Sequence, residues 1–460
     1  MVNLGKIKKV HFIGVGGIGM SGMAELLIRL GYTISGSDIK SNDRTESLKS
    51  IGVEVFIGHS QQNVQDSDLV VYSSAIDVNN VEIICAAKSG VPVIKRAEML
   101  AELVRLKPLS IGVSGTHGKT TTCSLIGSVL HSAKKDPTLV VGGIVKGFGT
   151  NAISGKGDII VVEADEFDKT FLSILPVISV INNIEKEHLD CYDNFEDLKE
   201  SFVKFMNSVP FYGFSMVNVD DRTINQIIKK GKRSIIRYGI EKDADYMAKN
   251  ISFKENYSIY DLYYKNSKLG TINLSIPGKH NIYNSLCAAS ICLELGLDFS
   301  VIDKSFRTFE GIKRRFDLKF KDKRTIYIDD YAHHPTEVEA TIKAAKGGWP
   351  KRKIISVFQP HLYSRTKLFY KDFAKSLYDS DKIILLDIYG AREKENKEIS
   401  SDLIKNEIVK MGHEKCVLIK EENLIDELRA SNDDDNVIIT MGAGDLWLKG
   451  DEIIRWLSNE

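Results

Sequence analysis

From residue 8 to about residue 106, short β-branched runs alternate with amphipathic stretches. KKVHFIGV is followed by the helical GMSGMAELLIRLG, then by YTISGSD and LVVYSSAI. Strands alternating with helices predict a parallel sheet with crossover helices. Lys107-Pro108 breaks the pattern and a new strand, PLSIGVSG, begins there, which places a first domain boundary. A second unit of the same texture runs through GDIIVVEADE and PVISVINNI. Between about 234 and 276 the long helices disappear and SIIRYGI, SIYDLYYK and LGTINLSIPG remain, predicting an antiparallel patch inside the second domain. GIKRRFDLKFKDKR, residues 311–324, is basic and lacks long apolar periodicity, which suits a linker. Beyond it TIYIDDY, IISVFQP, KIILLDI, CVLIK and NVIITMG alternate with helical segments again. The domains predicted are 1–107, 108–320 and 321–460.

Length agrees with that division, because 460 residues at roughly 150 per domain make about three cores. With 62 basic and 62 acidic residues, no global field draws the chain to nucleic acid or to an anionic membrane, so any anion must be held locally. The apolar run near the amino terminus is cut by glycines within a few residues and reads as a strand and turn, not a leader. No stretch approaches the roughly 20 apolar residues that span a bilayer. Six cysteines without a C-x-x-C pair favour reduced thiols, and hence the cytoplasm.

The most specific chemistry lies in GVSGTHGKTTT, Gly112 to Thr122, which follows an apolar strand and opens a helical run. Backbone amides from Gly115 through Thr116, His117, Gly118, Lys119, Thr120 and Thr121 would face a polyphosphate at a helix N-terminus. Lys119 reaches outer phosphates and the Thr120 hydroxyl suits magnesium. Val113 stands where the strict phosphate-loop pattern has its first glycine, so the fit is to the shorter G-T-x-G-K-T. Downstream, DIIVVEADEFD ends a strand in Glu163, Asp165, Glu166 and Asp168, carboxylates placed to hold magnesium. A further strand leads through Asn182 and Asn183 to His188 and Asp190.

Later segments add polar groups suited to a nucleotide. In PGKHNIYNSLCA, His280 and Asn284 share a face if helical, and Asn281 can cap or donate. GIKRRFD offers Arg314 and Arg315, either able to clamp a γ-phosphate. IDDYAHHP sets Asp329, Asp330, Tyr331, His333 and His334 at a strand end. FQPHLYSRT carries His361 and Arg365 four apart, the arginine able to hold a carboxylate bidentately. A further glycine turn, MGAGD (Met441–Asp445), also follows a strand and receives no chemistry. At the amino end GVGGIG, residues 14–19, with Asp38 ending the next strand, would by itself suggest an NAD-dependent oxidoreductase. That reading leaves the phosphate loop and E-x-D-E unexplained, and any diphosphate on a helix N-terminus is served by the same turn.

Taken in order from about residue 8 to 450, these motifs resemble the Mur ligases, with the phosphate loop shared by their folylpolyglutamate synthase relatives. The resemblance implies an α/β chain with Rossmann-like first and third domains and a central phosphate-loop ATPase-like domain. G-x-G-G-x-G-M-S, S-G-S-D, S-S-A-I and R-A-E-M-L look like the UDP-sugar site of the alanine-adding member. They imply a UDP diphosphate on the amides of Gly16, Gly17, Ile18, Gly19 and Met20, Ser37 or Asp38 near the uridine, and Ser73, Ser74 and Arg96 alongside. The resemblance makes Glu163 a magnesium carboxylate, joins His188 to a second magnesium, and gives adenine to the G-x-H-N-x-x-N element. It assigns Arg315 to the γ-phosphate, Asp330 to the ATP ribose, and Tyr331, His361 and Arg365 to the amino-acid end. The catalytic set it implies is Lys119, Glu163, His188, Arg315, His333 and His361. Some relatives have arginine after the histidine of Q-P-H, where this chain has Leu362.

The expected reaction is ATP- and magnesium-dependent joining of L-alanine to UDP-N-acetylmuramate through an acyl phosphate, in peptidoglycan precursor synthesis. The alternative is the recycling relative that joins a preformed tripeptide to the same sugar. His188, His361 and metal-bound water remain open as the base for the amine, and monomer and homodimer remain open as the assembly.

Overall fold

The computed structural model describes residues 4–73, 75–186, 191–391, 393–431 and 435–458. The chain forms two compact units, Met1–Lys249 with Asp261–Thr271 and Tyr283–Thr308, and Asn250–Tyr260 with Ile272–Ile282 and Phe309–Glu460. Three sheets organise it, each with helices, in an α/β architecture of three domains.

The amino-terminal sheet contains β1 (Lys9–Ile13), β2 (Thr33–Asp38), β3 (Glu54–Ile57), β4 (Leu69–Tyr72) and β5 (Val93–Lys95). Their order is β3-β2-β1-β4-β5 and every pairing is parallel. Strand order reverses beside β1, so a crevice opens at the carboxyl ends of β1 and β4, where such sheets take ligands.

The central sheet adds β6 (Leu109–Ser114), β7 (Thr138–Val145), β8 (Thr150–Ile153), β9 (Ile159–Glu163), β10 (Ile178–Ile181), β11 (Phe214–Asn218), β12 (Ser234–Gly239), β13 (Tyr246–Lys254), β14 (Tyr257–Tyr264) and β15 (Ser267–Leu274). The order is β15-β14-β13-β12-β11-β10-β6-β9-β7-β8. SIIRYGI differs from the antiparallel expectation, since β12 pairs parallel with β11 and continues the main sheet. The antiparallel part begins after β13, where turns at 255–256 and 265–266 are too short for any crossover. A second antiparallel pair, β7 with β8, closes the opposite edge.

The last sheet contains β16 (Asp317–Lys321), β17 (Thr325–Asp330), β18 (Lys353–Phe358), β19 (Lys382–Leu385), β20 (Cys416–Leu418) and β21 (Asn436–Met441), in the order β16-β17-β21-β18-β19-β20. Every residue of β17 is buried, Ile326 and Ile328 in one core and Tyr327 in the core on the opposite face. Part of the stretch expected as a linker is instead the antiparallel edge strand β16. A register shift between Leu318 and Phe320 sends these two side chains to different cores, which hides the period-2 pattern from sequence. Among the described residues no helix is long and apolar enough to cross a membrane. All six cysteines are free.

Candidate active site

The phosphate loop is shaped by two glycines that no other residue replaces cheaply. Gly115 has φ +132 and Gly118, the cap of helix Lys119–Ser132, has φ +82. A Cβ on Gly115 would stand 3.0 Å from the backbone nitrogen of Asn183, and one on Gly118 would strike the side-chain oxygen of Asn284. The loop is clamped from behind by the two asparagines that follow β10. Asn183 Oδ1 accepts from His117 N (2.8 Å) and its amide donates to His117 O (3.2 Å). Asn182 donates to Thr122 Oγ1 (3.1 Å) and accepts from the buried Tyr238 hydroxyl (3.1 Å). Thr116 Oγ1 accepts from Glu185 N at 2.9 Å. Sequence reasoning named both asparagines without this role.

Lys119 is drawn into the loop. Its ammonium donates to Gly115 O (2.7 Å) and to both oxygens of Glu166 (3.1 and 2.8 Å), with Asp165 at 3.8 Å. Burial by itself would lower the Lys119 ammonium, but Glu166, Asp165 and Glu163 together hold it above its ordinary range. The lysine is therefore a fixed positive charge, and Glu166, only 2 % exposed, is its counter-ion. Glu163 ends β9 directly across from Val113 of β6, and accepts from Gly142 N at 2.6 Å. Thr120 lies in the first turn of the loop helix, 7 % exposed, followed by the buried Thr121. His188 lies outside the described residues.

The amino-terminal crevice has its own anion geometry. Helix Ile18–Arg29 starts at Gly17, which supplies no side-chain cap, so the N–H groups of Ile18, Gly19 and Met20 have no intrahelical acceptor. A Cβ on Gly19 would stand 2.7 Å from Arg96 Nη1, so the guanidinium lies against this first turn. Gly16 differs from expectation, because its N–H donates to Asp38 Oδ2 at 2.8 Å. Ser37 differs too: it is fully buried and its hydroxyl donates to Glu82 Oε2 at 2.6 Å. Ser73 follows β4, its Cβ 3.3 Å from where a Cβ of Gly14 would sit, and Ser74 lies outside the described residues.

Glu82 was not singled out from sequence. It has no solvent exposure and collects Ser37 Oγ, His59 Nδ1 (3.1 Å), Asn63 Nδ2 (2.6 Å) and Ser60 N (3.3 Å). Burial would raise its carboxyl, but His11, Ser37 and Asn63 together bring it down to about 2.

Helix Lys279–Glu294 carries His280, Asn281 and Asn284, so the first and last share a face as expected. Asn284 Oδ1 accepts from Thr122 Oγ1 at 3.3 Å, in the loop helix. Asn281 donates to Pro277 O at 2.7 Å. In the second unit a cavity of about 250 Å³ borders His280, with Phe253, Lys279, Thr336 and Glu339 in its wall.

The carboxyl-terminal domain gathers cations and rings. Arg314 and Arg315 both lie over the Tyr331 ring, at 4.8 and 5.2 Å. Arg314 donates to Gly442 O (2.6 Å), whereas the more exposed Arg315 faces Glu337 at 3.7 Å. His333 Nδ1 lies 2.9 Å from Tyr331 O, and its ring meets His361 edge to face at 6.1 Å. Arg365 Nη1 lies 3.3 Å from His361 Nδ1. Asp330, 7 % exposed, accepts from Phe316 N (3.0 Å), Thr341 Oγ1 (3.0 Å) and Ala332 N (2.9 Å). Burial pushes its carboxyl up to about 6, against the opposing pull of Arg315.

Comparison with known proteins adds a second line. The family model described as Mur ligase family, catalytic domain, matches residues 9–108; the Mur ligase middle domain matches 113–292; the Mur ligase, glutamate ligase domain, matches 314–444. The UDP-N-acetylmuramate–L-alanine ligase of Endomicrobium trichonymphae is 45 % identical over 449 residues, 98 % of this chain and 99 % of that one. That of Aquifex aeolicus is 46 % identical over 456 residues, covering 99 % of each. The crystal structure of UDP-N-acetylmuramate-alanine ligase from Thermotoga maritima matches with TM-score 0.84 at 27 % identity, over 98 % of this chain and 100 % of that one. A murein peptide ligase from Psychrobacter arcticus has TM-score 0.72 at 23 % identity, over 98 % and 99 %, a likeness of fold.

Proposed function

Because the chain belongs to the Mur ligase family, we infer that it joins L-alanine to the lactyl carboxylate of UDP-N-acetylmuramate, with ATP cleaved to ADP and phosphate. The observation that carries this reading is the end-to-end match, above 40 % identity, to ligases of that one specificity. Peptide-adding relatives resemble it mainly in fold. The reaction belongs to peptidoglycan precursor synthesis and to the cytoplasm.

Three domains divide the labour, 1–107 for the UDP-sugar, 108–320 for ATP and 321–460 for the amino acid. The diphosphate rests on the first-turn amides Ile18, Gly19 and Met20 with Arg96 as counter-charge. ATP phosphates lie on the loop Gly115–Thr121, and the family resemblance gives the adenine to the element carrying Asn281 and Asn284, the second of which accepts from Thr122 of the loop helix. Magnesium fits the donor set: one Glu163 oxygen is taken by Gly142 N–H, and a carboxylate oxygen and the Thr120 hydroxyl are the hard donors that ion takes. When bound, it neutralises phosphate charge.

The lactyl carboxylate attacks the γ-phosphorus in line, a P–O bond forms, and ADP leaves. Lys119, already committed as a cation, offsets the charge that spreads over the transferring group, and the family resemblance gives Arg315 the same duty. The amine of L-alanine then attacks the acyl carbon of the acyl phosphate and gives up its proton to water, and phosphate departs with the C–O bond electrons. Arg365 holds the amino-acid carboxylate, and His361 stands beside it to orient the amine.

The test is phosphate release across acceptors and amino acids, followed by competition between L-alanine and a murein tripeptide at equal concentration. Turnover needing UDP-N-acetylmuramate and L-alanine together, with predominantly alanyl product, is expected. Predominant tripeptide product would move the chain to the recycling activity.

A further inference from the structure

The turn Met441–Asp445 has no part in the chemistry above, yet it is tied to several functional segments. Gly442 N donates to Asp330 O (3.1 Å), and Gln359 N donates to Met441 O (3.0 Å). The Gln359 side chain donates to Asp445 Oδ1 (2.9 Å) and accepts from Leu446 N (3.2 Å). A Cβ on Gly444 would stand 2.7 Å from Cγ of Tyr389, so that ring packs here only because the position lacks a side chain. The same ring stacks on His361, with centroids 5.9 Å apart and planes 15° from parallel.

The backbone fixes this stack. Tyr389 N donates to Pro360 O and Leu362 N donates to Tyr389 O, each at 2.9 Å. Leu362 caps helix Tyr363–Leu377 at φ +70, an unfavourable conformation for leucine, and supplies no side-chain cap. Glu393 takes over that duty by accepting from Ser364 N (3.1 Å) and from the Ser364 hydroxyl. A carboxylate there also suits the helix N-terminus. Partial burial would raise the Glu393 carboxyl, but the bonds from Ser364 lower it on balance, so it is ionised at neutral pH.

We propose that Tyr389, seated against Gly444, is a positioning residue that fixes the His361 imidazole for the incoming amino acid. Glu393 locks the segment carrying Tyr389 onto the helix that carries Arg365. The proposal rests on the reading of His361 and Arg365 as the amino-acid end. With Arg365 donating to Nδ1, a neutral His361 carries its proton on Nε2. The stacked phenol then sets the plane of the ring and so the direction of that N–H. Loss of the phenol frees the ring to turn about its χ2 bond and blurs amino-acid binding, without touching either nucleotide site.

Steady-state kinetics of the whole chain with all three substrates tests this. Tyr389→Ala is expected to raise KM for L-alanine about tenfold while KM for ATP and for the UDP-sugar stays within about twofold. Tyr389→Phe, which keeps the stacked ring, restores the wild-type KM for alanine. Gly444→Ala, whose methyl crowds both that ring and the Gln359 side chain, reproduces the rise. In a double-mutant cycle Tyr389→Ala adds nothing to His361→Ala, because it acts through that side chain. An alanine KM unchanged in Tyr389→Ala but raised in His361→Ala and Arg365→Ala would overturn this proposal alone. No change in any of the three would overturn the amino-acid reading, and this proposal with it.

Discussion

Replacing Glu82 with Gln alters one atom in a site without solvent, and the structure fixes both the size and the pH course of the effect. The carboxylate accepts from Ser37 Oγ and His59 Nδ1 on one oxygen, and from Asn63 Nδ2 and Ser60 N on the other. Glutamine offers one acceptor and turns an NH2 group toward donors already aimed at the lost oxygen. The folded-state carboxyl lies at about 2 against an ordinary 4.5, a difference worth about 3 kcal/mol at neutral pH. Because the folded value is depressed, the unfolded chain binds that proton more tightly. The stabilisation is whole above pH 4.5 and is lost as pH falls toward 2.

A chain of three domains does not unfold in one step, so a global midpoint would dilute the change. Hydrogen exchange at the amides of β1, β2 and residues 58–63 reads the amino-terminal domain directly. Protection there should fall about 100-fold at pH 7 in Glu82→Gln, the factor that about 3 kcal/mol implies. It should be unchanged in β6 and β10. The gap between variant and wild type should narrow between pH 5 and pH 3. Equal protection at pH 7, or a gap that does not narrow with acid, would refute the reasoning. The strand end also holds the turn proposed for the UDP-sugar, since Ser37 O accepts from Gly14 N and Val15 N while Asp38 holds Gly16 N. Weaker calorimetric affinity for the UDP-sugar, with ATP affinity retained, should accompany the loss of protection.

Lys119→Ala removes the charge proposed to face the phosphates but leaves the turn at Gly14–Gly19 intact on another sheet. Phosphate release should vanish while calorimetric affinity for the UDP-sugar is kept, and loss of both together would contradict separate sites. Thr341→Val removes one donor to Asp330, whose carboxyl burial has already raised to about 6. A raised acid favours its protonated form in the folded state, so the loss of about 1 kcal/mol should be larger at pH 8 than at pH 5. Thermal melts of the variant at the two pH values measure it, and equal shifts would place the missing bond elsewhere.

How far the sequence could be read depended on whether a residue's role is set by near neighbours in the chain. The placement of Lys119 and Thr120 at the start of a helix was legible because a strand, a glycine turn and a helix start occur together within a few residues. Glu82 was not. In NNVEIICA it reads as an acidic first-turn residue facing water, and its burial depends on donors from Ser37, His59, Ser60 and Asn63, up to 45 residues distant. The β16 edge strand was hidden for a different reason, since its bulge breaks the alternation by which strands are recognised. Tyr389 and Glu393 escaped because nothing local distinguishes IYGAREKE from a surface loop, and the partners that give them purpose lie at Gly444, His361 and Ser364.

Three glycine turns of similar texture end strands in this chain, and what stands where each missing Cβ would be separates them. At Gly115 and Gly118 the space is taken by Asn182, Asn183 and Asn284, so the absent side chains let asparagines grip the loop proposed to hold phosphate. At Gly19 the neighbour is the Arg96 guanidinium, and the vacancy brings a cation onto a helix N-terminus. At Gly442 and Gly444 the neighbours are Gln359 and Tyr389. A turn filled by an amide and an aromatic ring leaves no open cradle for an anion, and the Arg314 guanidinium beside it is spent on Gly442 O. Its glycines instead let the Q-P-H segment and its stacked tyrosine settle against the strand end. Glycine spacing by itself therefore predicts close approach of something, and the chemistry follows from whether that neighbour is a cation, an amide or a ring.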